Sequence, residues 1–127
     1  MGRQAAKHVG RTPRFLGAVR QRAEAAAVFA ALGDPTRLRL VARLCTGGPS
    51  SIARLTEGTD VSRQAVTKHL RALEVAHLVR SGRAGRERIW EVRPARLAET
   101  RDYLQQIADQ WDSALARLRR TVENGDA

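Results

Sequence analysis

The chain has 127 residues and a formal net charge of +10, from 23 Lys and Arg against 13 Asp and Glu. That length suits one domain with one core and leaves no room for a second ligand-binding domain of ordinary size. A single cysteine, Cys45, excludes an intramolecular disulfide and any multi-cysteine metal site, and no apolar run approaches the roughly 18 residues of a membrane span.

Charge placement says more than its total. Residues 1–20 carry Arg3, Lys7, Arg11, Arg14 and Arg20 with no acid, and residues 62–90 carry seven basic residues against Glu74 and Glu87. All other positions together are neutral, with eleven charges of each sign. An excess confined to two segments is what binding to a polyanion requires, whereas an excess serving only solubility would be scattered.

In chain order, residues 1–20 read as a basic arm, partly disordered, although Thr12 and Pro13 also suit the cap and first turn of a helix leading into the alanine-rich stretch Ala23 to Leu32. Gly17 weakens that extension. Gly33-Asp34-Pro35 stops one helix and starts another, which runs to about Cys45 with Leu38, Val41, Ala42 and Leu44 or Cys45 facing inward. After Gly47-Gly48-Pro49, Ser50 or Ser51 caps a short helix with Ile52, Ala53 and Leu55 inward. Gly58 to Val61 forms a turn, and Ser62 caps a second helix whose Val66, Leu70 and Leu73 make a buried stripe.

The other face of that second helix carries Arg63, Gln64, Thr67, Lys68 and Arg71, all donors or donor-acceptors with no acid among them. Such a face can meet phosphates and base edges in a major groove. Two strands follow, Leu78 to Arg83 and Arg86 to Val92, around a turn at Ala84-Gly85, with Trp90 and Val92 on one face. From Pro94 a long helix extends to about Val122, and Leu104, Ile107, Trp111, Leu115 and Leu118 recur on it at steps of three and four. A stripe of large apolar residues outside the compact core is expected to be a dimer seam. The domain is expected over residues 21–122, with 123–127 as a tail. The fold class is mainly α with a small β-wing, a winged helix-turn-helix. No nucleophile elbow, phosphate loop or paired-histidine constellation is present, so no enzyme activity is expected.

The blocks GDPTRLRLVARL (33–44), SRQAVTKHLRALEVAHLV (62–79) and GRERIWEV (85–92), with the order of helices, resemble the bacterial arsenic-repressor type (ArsR) family of winged-helix transcription factors over roughly residues 22 to 120. The resemblance implies a homodimer built from the first and last helices, acting as a repressor on double-stranded DNA; a cytoplasmic protein is expected separately, from the lack of a membrane-length apolar run and of an apolar signal core at the N-terminus. By position, Ser62, Arg63, Gln64, Thr67, Lys68 and Arg71 match the family's reading helix, and Arg83, Arg86 and Arg88 match its wing.

The departures concern metal. Family sensors carry cysteines on the first helix of the helix-turn-helix, and residues 50–57 hold none; others carry histidines on the last helix, and residues 94–127 hold none. Asp102, Asp109 and Asp112 therefore read as solvated charges, and neither metal nor cofactor is expected. Cys45 reads as a small hydrophobe, and His69 as a residue hydrogen-bonded near the turn. His77 stands where the family often has glycine, and histidine enters the left-handed region more readily than most residues. The residues themselves leave two rivals to a sequence-specific repressor: a winged helix that docks on an acidic protein, and a non-specific nucleic-acid binder.

Overall fold

The computed structural model describes residues 14–125. In order these form α1 (Arg14–Leu32), α2 (Pro35–Gly47), β1 (Ser50–Ser51), α3 (Ile52–Thr56), α4 (Arg63–Val75), β2 (Val79–Ala84), β3 (Glu87–Val92) and α5 (Pro94–Gly125). The expected arm boundary at residue 20 falls inside a helix. A glycine at position 17 costs about 1 kcal/mol relative to alanine, too little to stop a run of alanines and long side chains. Residues 1–13 of the arm lie outside the described residues.

Local chemistry explains each boundary. Asp34 accepts the Arg37 amide at 3.0 Å and caps α2, with Pro35 in the first turn where its missing N–H is no loss. Ser51, not Ser50, caps α3 by accepting the Arg54 amide. Ser50 instead pairs with Trp90 in a two-residue strand that the sequence reading did not anticipate, and the sheet order is β1-β3-β2. The hairpin turn sits one residue later than expected, at Gly85-Arg86, because Ala84 pairs with Glu87. Gly85 takes φ 67° at the first central position, which suits glycine in a two-residue hairpin.

The core gathers Val28 from α1, Leu40 and Leu44 from α2, Leu55 from α3, Val66, Leu70 and Leu73 from α4, and Leu78, Val79 and Trp90 from the hairpin. Three residues expected inside are not: Leu38, Ala42 and Ala53 are exposed. With α2 phased by its Asp34 cap, Leu40, Val41 and Leu44 share the inward face, and Leu38 lies about 200° from Leu40 around the helix. Cys45 is exposed as well, so it does not serve as a core hydrophobe.

α5 docks only through its first turns. Leu97 packs on the core, Arg96 pairs with Glu24 of α1 at 3.2 Å, and the Tyr103 ring lies 6.5 Å from that of Phe29. Beyond Tyr103 every residue to Gly125 is exposed except the half-buried Ala114. The helix also passes Val122 and ends at Gly125, three residues into the expected tail.

Candidate nucleic-acid interface

Ser62 opens α4 by accepting the Ala65 amide at 3.1 Å on its hydroxyl oxygen, which leaves the hydroxyl proton free to donate outward. At 100° per residue, positions 63, 64, 67, 68 and 71 fall within an arc of about 140°, while Val66, Leu70 and Leu73 lie on the inward side. Arg63, Gln64, Lys68 and Arg71 are exposed and Thr67 is half-buried. Thr67 donates its hydroxyl to the Arg63 carbonyl at 2.8 Å, so what it offers outward is an acceptor lone pair and a methyl group.

The one acid on α4, Glu74, is not idle on that arc. Its carboxylate accepts the Ser81 hydroxyl at 3.3 Å, and Ser81 in turn accepts an Arg88 N–H at 2.9 Å. This relay ties the end of α4 to the base of the wing and aims Arg88. In the sequence Ser81 has no visible role and Glu74 counts only as a charge, because the relay exists only once the hairpin folds back against α4.

Alternation along the hairpin sorts its charges by face. Val79, Ser81 and Arg83 pair with Val92, Trp90 and Arg88, so both arginines continue the face that packs inward toward α4. Arg80, Ala84, Glu87 and Glu91 occupy the other face, where Arg80 forms an ion pair with Glu91. Arg86 occupies the hairpin tip. The acid Glu87 is thus turned away from the side shared by α4, Arg83 and Arg88.

His69 and His77 serve the frame. His69 lies off the polar arc, with its Nδ1 3.2 Å from the Arg37 Nε. Asp34 Oδ2 is 3.9 Å from the same Nδ1. The Arg37 amide, aided by the nearby His69, holds the Asp34 carboxyl below its ordinary range. His77 has φ 61° and donates its amide to Glu74 O at 2.9 Å, while the Leu78 amide reaches Leu73 O at 3.0 Å. Those two bonds make a Schellman cap with histidine in the glycine position.

Leu104, Ile107, Trp111, Leu115 and Leu118, expected to form a dimer seam, are all exposed in the single chain, Trp111 by 65%. Asp102 accepts bonds from Arg101, Asp109 accepts from Gln105, and among the described residues no three His, Cys, Asp or Glu groups gather as a metal site.

Residues 32–82 match a family model described as a helix-turn-helix domain. The chain is 35% identical over 94 residues to the HTH-type transcriptional regulator Rv2034 of Mycobacterium tuberculosis, covering 74% of this chain and 84% of the relative. It superposes on an ArsR-like transcriptional regulator from Rhodococcus sp. RHA1 with a TM-score of 0.69 and 39% identity, covering 78% of this chain and 92% of that one. A homodimeric winged helix-turn-helix DNA-binding domain from Mycobacterium bovis shares the fold at a TM-score of 0.57 and 22% identity, over 80% of this chain and 90% of the other.

Proposed function

The chain belongs to the ArsR family of winged helix-turn-helix transcription regulators, and from that membership we propose that it acts as a homodimeric repressor, covering a promoter by inserting two copies of α4 into successive major grooves of double-stranded DNA. One observation carries this reading: the arc of α4 that bears Arg63, Gln64, Thr67, Lys68 and Arg71 is tied to the Arg83-Arg88 face of the wing by a hydrogen-bond relay from Arg88 through the Ser81 hydroxyl to Glu74, the one acid on that arc. Arg63, Gln64, Thr67, Lys68 and Arg71 then meet base edges and flanking phosphates, with the Ser62 hydroxyl at the backbone. Arg83, Arg86 and Arg88 track phosphates or a narrow minor groove.

The exposed stripe Leu104, Ile107, Trp111, Leu115 and Leu118 is the seam for the second copy. An uncovered run of six large apolar residues, counting Val122, is otherwise a liability in water. Two subunits joined there hold their reading helices about 34 Å apart, one turn of the duplex.

Selection of duplexes from a random-sequence pool, followed by mobility shift at ~150 mM salt, tests the reading. A selected duplex should bind ~10³-fold or more tightly than random DNA. Equal affinity for both makes the protein a non-specific binder, and binding to neither makes it a protein-docking module.

A further inference from the structure

We propose that Arg43 is a positioning residue for DNA reading: by clamping the last carbonyls of α3 it fixes where the helix-turn-helix turn begins, and so where the first turn of α4 meets the duplex. The proposal rests on the function proposed above.

α3 is only five residues long, Ile52–Thr56. A helix that short has almost no internal ladder and leaves its C-terminal carbonyls without partners. Its N-terminus is served locally by Ser51, but its C-terminus lacks the backbone bonds of a Schellman cap: Glu57 at φ −55°, ψ 132° and Gly58 at φ 71° make a turn closed by the Thr59 amide on Thr56 O. Arg43, reaching across from α2, supplies the missing donors. Its Nη1 donates to Leu55 O at 2.8 Å and Glu57 O at 3.1 Å, and its Nη2 donates to Arg54 O at 3.0 Å. Thr56 O is taken by the amide and hydroxyl of Thr59 at 3.1 and 2.7 Å. Four consecutive carbonyls are thus satisfied, three of them by one guanidinium.

Only arginine has a planar fork that can do this, and its charge also suits the negative end of a helix. Lysine could place one ammonium there but could not hold three diverging acceptors. The clamp sits immediately before Gly58, whose φ of 71° starts the turn into Ser62, Arg63 and Gln64. Val66, Leu70 and Leu73 anchor the body of α4 in the core independently of Arg43. What Arg43 controls is the segment leading into its first turn, where a shift of about 0.5 Å is enough to spoil side-chain geometry. Both terminal nitrogens of Arg43 are turned onto backbone carbonyls, so it is not built to meet phosphate.

The test compares wild type, Arg43→Met and Arg43→Lys by thermal unfolding and by titration of two duplexes of about 40 base pairs, one selected from the random pool by wild type and one of random sequence, over a series of salt concentrations. Arg43→Met should lower affinity for the selected duplex about tenfold, leave random DNA within about twofold, and leave the slope against log salt unchanged, since no phosphate contact is lost. Arg43→Lys, which also serves if Arg43→Met fails to fold, should recover only part of that loss. A parallel loss on both duplexes with a slope lower by about one overturns the proposal and makes Arg43 a phosphate contact. A lowered unfolding temperature with selected-duplex affinity unchanged per folded molecule overturns it too, leaving a purely structural role. If wild type itself selects no duplex, the functional reading fails first and takes this one with it.

Discussion

Arg83 and Arg88 stand directly opposite each other on the two strands of the wing, on the face shared with Ser81 and Trp90. Like charges in that relation repel, and opposite charges there typically contribute about 0.2–1 kcal/mol. Ser81 takes one N–H of Arg88, but among the described residues no carboxylate pairs with Arg83. A fold that carries this cost is relieved when a polyanion lies between the two guanidinium groups. Arg83→Glu should therefore have opposite effects on its two readouts. Urea unfolding of the free protein should show a gain of about 0.2–1 kcal/mol, while DNA affinity falls on every sequence and its salt slope drops by about one. Tighter or unchanged DNA binding in this variant removes Arg83 from the interface.

Reading and anchoring separate in a second pair of variants. Gln64 lies in the first turn of α4 with an amide that can pair bidentately with adenine, so Gln64→Ala should relax preference at particular base pairs by about 1–3 kcal/mol. Arg86 sits at the hairpin tip, and Arg86→Ala should weaken all sequences alike. A base-specific loss from the tip and a uniform loss from Gln64→Ala would invert the assignment.

The seam prediction concerns Leu115, exposed by 41% in the single chain. Leu115→Glu places a carboxylate where the second copy should cover it, and an unpaired buried charge costs several kcal/mol. Sedimentation should show a wild-type dimer at micromolar concentration and a monomeric variant with its fold intact. DNA affinity should collapse with the dimer. Wild type sedimenting as a monomer defeats the seam.

Acid should loosen the joint between α2 and α4. Asp34 is held below its ordinary value of 3.8, first by the Arg37 amide and further by His69. A carboxyl depressed in the folded state adds stability above its unfolded value, and that contribution disappears as pH falls through the folded value, below about pH 4. Asparagine caps a helix nearly as well as aspartate but does not titrate. Asp34→Asn should thus keep near-wild-type stability at neutral pH and lose less than wild type between pH 5 and 3, roughly the range of carboxylate titration. Identical acid limbs in the two proteins assign that loss to other carboxylates.

What was legible in the chain was local. The caps at Asp34 and Ser62, the buried stripe of α4, the glycine-led hairpin and the left-handed His77 each depend on residues within one turn of one another, and the structure carries all of them. What was hidden depends on contacts distant in sequence. Ser50 and Ser51 have no strand character of their own and become a strand by pairing with Trp90 and Ile89. Leu38 and Leu40 both suit an inward position by hydrophobicity, and only the phase of the packed helix chooses between them. Arg43, Ser81 and Glu74 look like ordinary surface residues until α2, α3, α4 and the hairpin are assembled.

His77 offers the last prediction, because its cost and its purpose pull apart. At φ 61° a residue with a Cβ is strained, by about 1–2 kcal/mol in the left-handed region, although histidine tolerates it better than branched residues. The Schellman bonds, from the His77 amide to Glu74 O and from the Leu78 amide to Leu73 O, are made by the backbone and survive any side chain. Among the described residues the His77 ring has one hydrogen-bond partner, Arg93, 3.4 Å from its Nδ1 at an exposed position. Glycine removes the strain but adds unfolded-state entropy worth about 0.4–1 kcal/mol, so His77→Gly should raise stability by a net amount of about 0.5–1 kcal/mol. Since the cap lies at the far end of α4 from Arg63 and Gln64, DNA affinity and base preference should not change. Thermal unfolding and selected-duplex titration of this one variant check both halves. A loss of affinity would show that the ring, through Arg93, helps set the wing against α4.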